Sequence, residues 1–417
     1  MASITGRTAL ASLAAFVSLS AQATNGYFAH GYGTKSEAVA GLGIALPQDA
    51  LAAAANPAGI GFVGERIDLG VSWLKPSRDA SITGNQAGAD EAYDADRKSS
   101  FLIPNLGYNR PLSPDLSFGI VVYGNGGLNT DYTNNPYTRF GATGAAGIDF
   151  AQLFVAPTVA YKITARNTLG LAVNLAYQQF SAKGIDAFGP FSSDAAHLTN
   201  QGTDRAYGAG VHLGWLGQIT DAITLGLTWQ PKTKMSRFDK YRGLFANRGE
   251  FDIPETYGAG LAVKAIPAFA LSADVQRISY SKVAAVGNRV DSLFTGAQLG
   301  TANGPGFGWR DVTVYKFGAL YQVASDWIVR AGYSYARQPI PENQTLLNIL
   351  APAVSDRHLT LGTTWNVNKS YEASLAYSYN YGDTLHGNGS IPTALGGGEA
   401  DLHFKLSILS FSLGYKF

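Results

Sequence analysis

The sequence predicts an all-β chain: a 14-stranded antiparallel transmembrane β-barrel with an N-terminal plug, or hatch, inside the lumen. Three observations predict it. Strand-like segments alternate apolar and polar residues with a period of two, as a pleated strand with unlike faces requires. These segments run about 9–13 residues, which suits a tilted membrane strand better than a sandwich. Their connections alternate short and long, the pattern of a barrel with tight turns at one rim and large loops at the other. Lipid offers no partner to an open sheet edge, so such a sheet must close.

The segment 24–62 does not share this pattern. It is rich in Gly and Ala and lacks sustained alternation. It therefore reads as the hatch, following a signal peptide over residues 1–23 and preceding a barrel over 63–417. Arg7 supplies the positive end of the signal, residues 9–17 its apolar core, and Ala21-Gln22-Ala23 a small-x-small cleavage site. That core is too short to span a bilayer as a helix.

The expected strands are 65–75, 101–110, 115–124, 150–161, 168–180, 204–216, 220–231, 255–264, 268–280, 311–322, 325–336, 357–366, 370–380 and 403–417. The alternation is cleanest in four of them. In the third, Leu116, Phe118, Ile120 and Val122 face one way. In the fifth, Leu169, Leu171, Val173, Leu175 and Tyr177 oppose Gly170, Ala172, Asn174, Ala176 and Gln178. The eleventh opposes Trp327, Val329 and Tyr333 to Ile328, Arg330 and Ser334, and the thirteenth repeats the device from Tyr371 to Asn380. Trp73, Trp229, Trp327, Trp365, Tyr177 and Tyr379 fall near strand ends, where an interfacial girdle belongs. An even strand count returns both termini to one side, the periplasm.

The last strand ends on alternating Leu409, Phe411, Leu413, Tyr415 and Phe417, a terminal aromatic that resembles the recognition signal of outer-membrane barrels. Upstream, Leu402, Phe404, Leu406 and Ile408 occupy the other parity. The switch reads as a bulge, with an apolar inner face on the upper strand as the alternative.

Composition narrows the function. Charged residues make up 15% of 417 residues, below the roughly one quarter of soluble domains. A net charge of +1 gives no electrostatic argument for nucleic acid. The chain has no Cys, which removes disulfides, thiolate chemistry and Cys-based metal sites. Its six His form no HExxH, and no Gly-x-Ser-x-Gly occurs. The reading is a non-enzyme without cofactor or metal.

Asn56-Pro57-Ala58, following Gly41, Gly43 and Asp49, is similar to a segment just before the first strand of the FadL/TodX-type outer-membrane transporters. The 105–132 region, Pro254-Glu255, Gly306–Trp309 and the Pro339–Asn343 loop match in order and spacing across the mature chain. The resemblance implies passive uptake of long-chain fatty acids or other hydrophobic compounds across the bacterial outer membrane. It implies a kink in the third strand through which cargo leaves laterally. Monoaromatic or alkane cargo is one alternative; a general porin or an adhesion barrel is another. It implies a monomer that meets outer-membrane lipid and lipopolysaccharide and is inserted by the barrel assembly machinery.

The resemblance places the lateral gate at Tyr123, Gly124, Asn125, Gly126 and Gly127, where glycines permit a break in the strand; an ordinary strand-to-loop transition is the plain alternative. It places Tyr27 and Phe28 inside as a stopper, and Asn56, Pro57 and Ala58 at the hatch-to-barrel junction. Loops 181–203 and 232–254 resemble capture loops, with Phe188, Phe191, Phe238, Leu244 and Phe245 as apolar contacts. Arg66, Lys316, Arg330 and Arg337 are candidates for a carboxylate contact, against the plainer reading that they pair with plug or wall carboxylates such as Glu37, Asp49 or Glu372.

Overall fold

The computed structural model describes residues 25–417. The expected signal peptide and Thr24 lie outside the described residues. The wall strands are β1 (Arg66–Thr83), β2 (Phe101–Pro111), β3 (Leu116–Tyr132), β4 (Ala146–Thr164), β5 (Asn167–Lys183), β6 (Asp204–Gln218) and β7 (Ile223–Gln230). They continue as β8 (Thr256–Ile266), β9 (Phe269–Ile278), β10 (Val312–Ala324), β11 (Trp327–Ala336), β12 (Arg357–Asn366), β13 (Tyr371–Leu385) and β14 (Glu399–Lys416). Each pairs antiparallel with its successor, and β14 pairs with β1, so fourteen strands close the wall. A short extra strand, Glu91–Asp94, hydrogen-bonds to the top of β1.

The two pleat faces separate as the sequence alternation dictates. On β11, Trp327, Val329, Tyr333 and Tyr335 are exposed outside, while Arg330 and Ser334 are buried inside. Trp73, Trp229 and Trp365 are likewise exposed on the outer face. Tyr177 departs from the expected girdle. It points outward but is buried, because Leu153 and Tyr207 on the flanking strands pack against it.

Two further expectations need correction. Several strands outrun the predicted spans at the loop rim: β1 continues to Thr83, β3 to Tyr132, β13 to Leu385, and β14 starts at Glu399. The wall rises past the apolar belt into a loop-covered cap, where alternation no longer contrasts lipid with lumen. The second correction concerns β14. Its register against β1 is continuous from Glu399 to Lys416, so no bulge lies at Ile408–Leu409. Leu402, Phe404, Leu406 and Ile408 are buried on the inner face, whereas Leu409, Phe411 and Leu413 are exposed outside. The upper strand carries an apolar inner face, which was the alternative reading.

The hatch contains two single-turn helices, α1 (Thr34–Glu37) and α2 (Ala52–Ala55), and a 3₁₀ turn over Pro57–Phe62. Helices this short do not stand alone, and inward-facing wall side chains hold them. Asp274 accepts from the Gly43 and Ile44 amides, each at 3.0 Å, and Asp68 from Ala50 at 2.9 Å. Lys316 donates to the His30 and Gly41 carbonyls at 2.9 and 3.0 Å. The wall thus satisfies backbone groups that the hatch cannot pair internally.

Candidate functional site

The hydrogen bonding of the wall is interrupted once beside β3. β2 and β3 pair from Pro111↔Ser117 only up to Leu106↔Val122. Above that level, Phe101–Asn105 pair with β1, and β3 from Tyr123 upward pairs with β4. The β3–β4 register shifts between Gly124 and Gly126, so Asn125 is an extra, bulged residue. The sequence-predicted gate residues therefore sit where β3 leaves β2. Across the gap, Ile103 of β2 faces Gly124: a Cβ added there would lie 2.9 Å from Ile103 Cγ2.

The N-terminal end of the hatch fills this gap from inside. Phe28 bridges Gly126, the Ala29 amide donates to the Asn125 carbonyl at 3.0 Å, and the Gly127 amide donates to the Tyr27 carbonyl at 2.9 Å. The segment acts as a short strand, pairing β3 where β2 does not. Only glycine fits at 126, since a Cβ would run into the Tyr27 carbonyl oxygen. Tyr32 reinforces the contact, donating to Asn125 Oδ1 at 2.6 Å and packing edge-on against Tyr123.

Two residues that the sequence did not single out frame the gap. Arg78 of β1 closes its upper end. Its guanidinium donates to the Asn129 carbonyl of β3 and to Asp96 at 3.0 Å. Tyr280 anchors the filling segment: its hydroxyl donates to the Asn25 carbonyl and accepts from the Phe28 amide at 3.3 Å. Their partners lie tens to hundreds of residues away, and no local pattern announces them.

An aromatic cluster leads from this segment toward the outer loops. The Tyr27 ring lies 5.5 Å from Phe150, 5.8 Å from Phe251 and 5.3 Å from Tyr280. Phe251 meets Phe245 at 5.0 Å, and Phe245 meets Phe180 at 4.6 Å. Beyond them is a narrow apolar cavity of about 30 Å³, lined by Phe188, Leu244 and Phe245 together with Ile148, Leu347 and Leu350. Phe238 is fully buried against Phe180 and Phe251, and Phe191 packs on Phe294 outside the cavity lining. Of the five residues expected as apolar loop contacts, three line one space, while Phe238 and Phe191 pack outside its lining.

Asn56 caps the 3₁₀ turn, accepting from the Ala58 amide at 3.1 Å, and donates to Ile44 O and to Trp215 O of β6. Ala58 lies so close to β5 that a Cβ at Gly170 would strike its amide. The junction is thereby pinned to the wall. The basic residues hold the hatch. Arg66 pairs with Asp68 at 2.7 Å and with Glu372, which also binds Lys35. Arg330 donates to Gln48 at 2.8 Å and Thr364 at 2.7 Å, and Lys316 to the hatch carbonyls. Arg337 is exposed at the rim, in a polar recess with Arg310 and Glu342.

Burial sets the charge states of the hatch itself. It pushes the Glu37 carboxyl up, although Ser72 and Ser410 donate to it. Asp49 is pushed up to about 6 by burial, with neighbouring Asp68 adding to it. Burial holds His30 well below its usual range, aided by His358 and Lys316.

The model of the family described as outer membrane protein transport protein (OMPP1/FadL/TodX) matches residues 10–417. A long-chain fatty acid transport protein of Escherichia coli is 23% identical over 395 residues, covering 82% of this chain and 83% of that protein. A FadL homologue from Pseudomonas aeruginosa superposes with a TM-score of 0.72 at 17% identity, over 94% of this chain and 100% of that one. The toluene transporter TodX of Pseudomonas putida superposes with a TM-score of 0.68 at 20% identity, over 94% and 100%.

Proposed function

The chain belongs to the OMPP1/FadL/TodX family of outer-membrane transport proteins, and from that premise we propose that its cargo is a neutral hydrophobic molecule of the monoaromatic class. It is an outer-membrane channel for hydrophobic small molecules and not an enzyme. The observation that carries the cargo reading is the apolar, aromatic character of the route from the Phe188/Leu244/Phe245 cavity to Tyr27 and Phe28. Arg66, Lys316 and Arg330, which could have paired with a carboxylate, are engaged by the hatch and wall. The toluene transporter among the structural neighbours is consistent with this reading.

Cargo adsorbs between the outer loops, passes the aromatic cluster, and displaces the 25–29 segment from β3. It then leaves sideways through the gap between β2 and β3. The protein works as a monomer, with its termini and short turns in the periplasm and its long loops against lipopolysaccharide. Phe417 closes the signal for the barrel assembly machinery. A fatty-acid cargo is the second reading, favoured by the E. coli relative and by Arg337 beside Arg310 at the rim.

The test is uptake of labelled toluene and labelled oleate by intact cells that lack their own transporter of this kind. Faster toluene entry with unchanged oleate entry is expected. Oleate entry alone would move the assignment to fatty acids, and no gain for either would reject the cargo reading.

A further inference from the structure

Directly beneath the aromatic cluster, the inner faces of β4–β7 change from apolar to uncharged polar. On β4, Gln152 follows Phe150 on the inner face, and it sits opposite Gly126 of β3. On β5, Gln178 and Asn174 lie below Phe180 on the same face. β7 contributes Gln230. All four side chains are at least nine-tenths buried. Lower still, Asn56–Ala58 of the hatch lie against Gly214 and Gly170.

These amides are paired in an unusual way. Gln178 Nε2 donates to Gln152 Oε1 at 2.8 Å, and Asn174 Nδ2 donates to Gln230 Oε1 at 2.9 Å. Each pair makes that one bond and stops. Gln152 Nε2 and Gln178 Oε1 have no partner among the described residues, and neither have Gln230 Nε2 and Asn174 Oδ1. Each pair therefore offers one unused donor and one unused acceptor. A buried amide left unpaired is destabilising, and an apolar pair of the same shape would avoid that cost. Asn380 and Thr364, also buried on the inner wall, are by contrast paired with Ser355 and Ser374. Four carboxamides in this layer are explained if something pairs with them while the channel works.

We propose that this amide layer is a subsite for an uncharged cargo group that both donates and accepts a hydrogen bond, a hydroxyl or an un-ionised carboxyl. Such a group matches the unused donor and acceptor of each pair. The neighbouring charged groups are already engaged, Asp204 by the Lys240 amide at 2.8 Å and Lys232 by Asp252 at 3.2 Å, so an ionised group finds no free ion-pair partner in them. The apolar body of the cargo stays against Phe150 and Phe180 while its polar end reaches the amides beside Gly126. The inference rests on the uptake reading above and extends its cargo from plain hydrocarbons such as toluene to monoaromatics that carry a small neutral polar group.

The experiment compares three probes of similar size: toluene, 4-methylanisole as acceptor only, and p-cresol as donor and acceptor. Uptake is measured in intact cells producing the full chain, with matched surface levels. Gln152→Met/Gln178→Met and Asn174→Leu/Gln230→Met remove both members of a pair together, which leaves no orphaned amide. The expected result is a fall of at least about threefold in the p-cresol to toluene ratio in either double variant, with toluene entry retained and 4-methylanisole affected less. On the unmodified protein, p-cresol but not toluene should shift the side-chain amide resonances of Gln152 and Gln178. An unchanged ratio in a variant that still admits toluene, or unmoved resonances, would overturn the subsite and leave water as the partner of the amides. Wild-type uptake of toluene but not p-cresol would overturn the subsite and leave the transport reading standing. Uptake of neither would overturn both.

Discussion

The Gly127 amide of β3 donates to the Tyr27 carbonyl of the hatch at 2.9 Å. The bond joins the hatch to the part of β3, from Tyr123 upward, that β2 no longer pairs. A short strand from the hatch thus completes the wall from inside, held there by hydrogen bonds alone.

Gly126→Val tests the geometry of that contact. The added side chain collides with the Tyr27 carbonyl, an overpacking cost of about 1–3 kcal/mol against the docked segment. It then occupies the space the segment vacates. Hydrophobic uptake is expected to fall to that of control cells at matched surface levels. Undiminished uptake would separate Gly126 from the route.

Arg78→Met addresses the upper frame. Its side chain is fully buried and bonds Asp96 and Asn129 together. Asp96 stays partly exposed, so losing this partner costs about 1.5–3 kcal/mol, as for a hydrogen bond to a charged group. The loss should appear as faster amide exchange across residues 91–98 and 126–131, with the strands β8–β12 unaffected. Uniform exchange changes would assign Arg78 to global stability instead.

Leu244→Ser with Phe245→Ser should weaken binding of an apolar probe by about tenfold or more, since each buried side chain contributes roughly 1.5–3 kcal/mol. Phe191→Ser, outside the cavity lining, should change binding far less. Equal losses would dissolve the distinction between lining and support.

Asp49→Asn isolates one titration in the hatch. The folded-state value near 6 lies above the unfolded value of about 3.9, so the neutral form is favoured on folding. The contribution is present below pH ~4 and is lost as pH rises through ~6. Glu37 is shifted the same way; His30, shifted down, loses stability as pH falls below about 6.5. Asparagine keeps an acceptor for the Leu51 amide, which Asp49 bonds at 3.0 Å. Hatch protection in the variant should therefore exceed wild type increasingly between pH 4 and 7. A constant difference across that range would refute the assignment.

The sequence made the wall legible because lipid outside and polar groups inside impose opposite demands on successive residues. Each wall strand contains much of one expected span. Legibility failed where that contrast ends. Above the belt the strand ends carry the composition of loops, and the parity switch at Ile408–Leu409 mimics a bulge although the register is continuous. The Gly124-Asn125-Gly126-Gly127 run marked the kink, because glycine in a strand is a local signal. Its closure was not legible, since Arg78, Ile103 and Tyr280 act through long-range register. The same holds for Gln152 and Gln178, which read as ordinary lumen residues until β4 and β5 are aligned. Phe238 and Phe191 carried a capture-like pattern, but three-dimensional packing decides which aromatic lines a cavity and which supports it.

The most direct measurement is a reversible lock on the hatch segment. The chain contains no Cys, so Ala29→Cys with Asn125→Cys introduces one possible disulfide at the pair next to the Phe28–Gly126 bridge. Toluene uptake is measured in intact cells with the pair oxidised and again after reduction. The account predicts uptake at control level when the segment is locked and recovery when it is released. Full uptake through the oxidised, locked barrel would contradict it, because cargo would then be leaving by a route that the segment does not block.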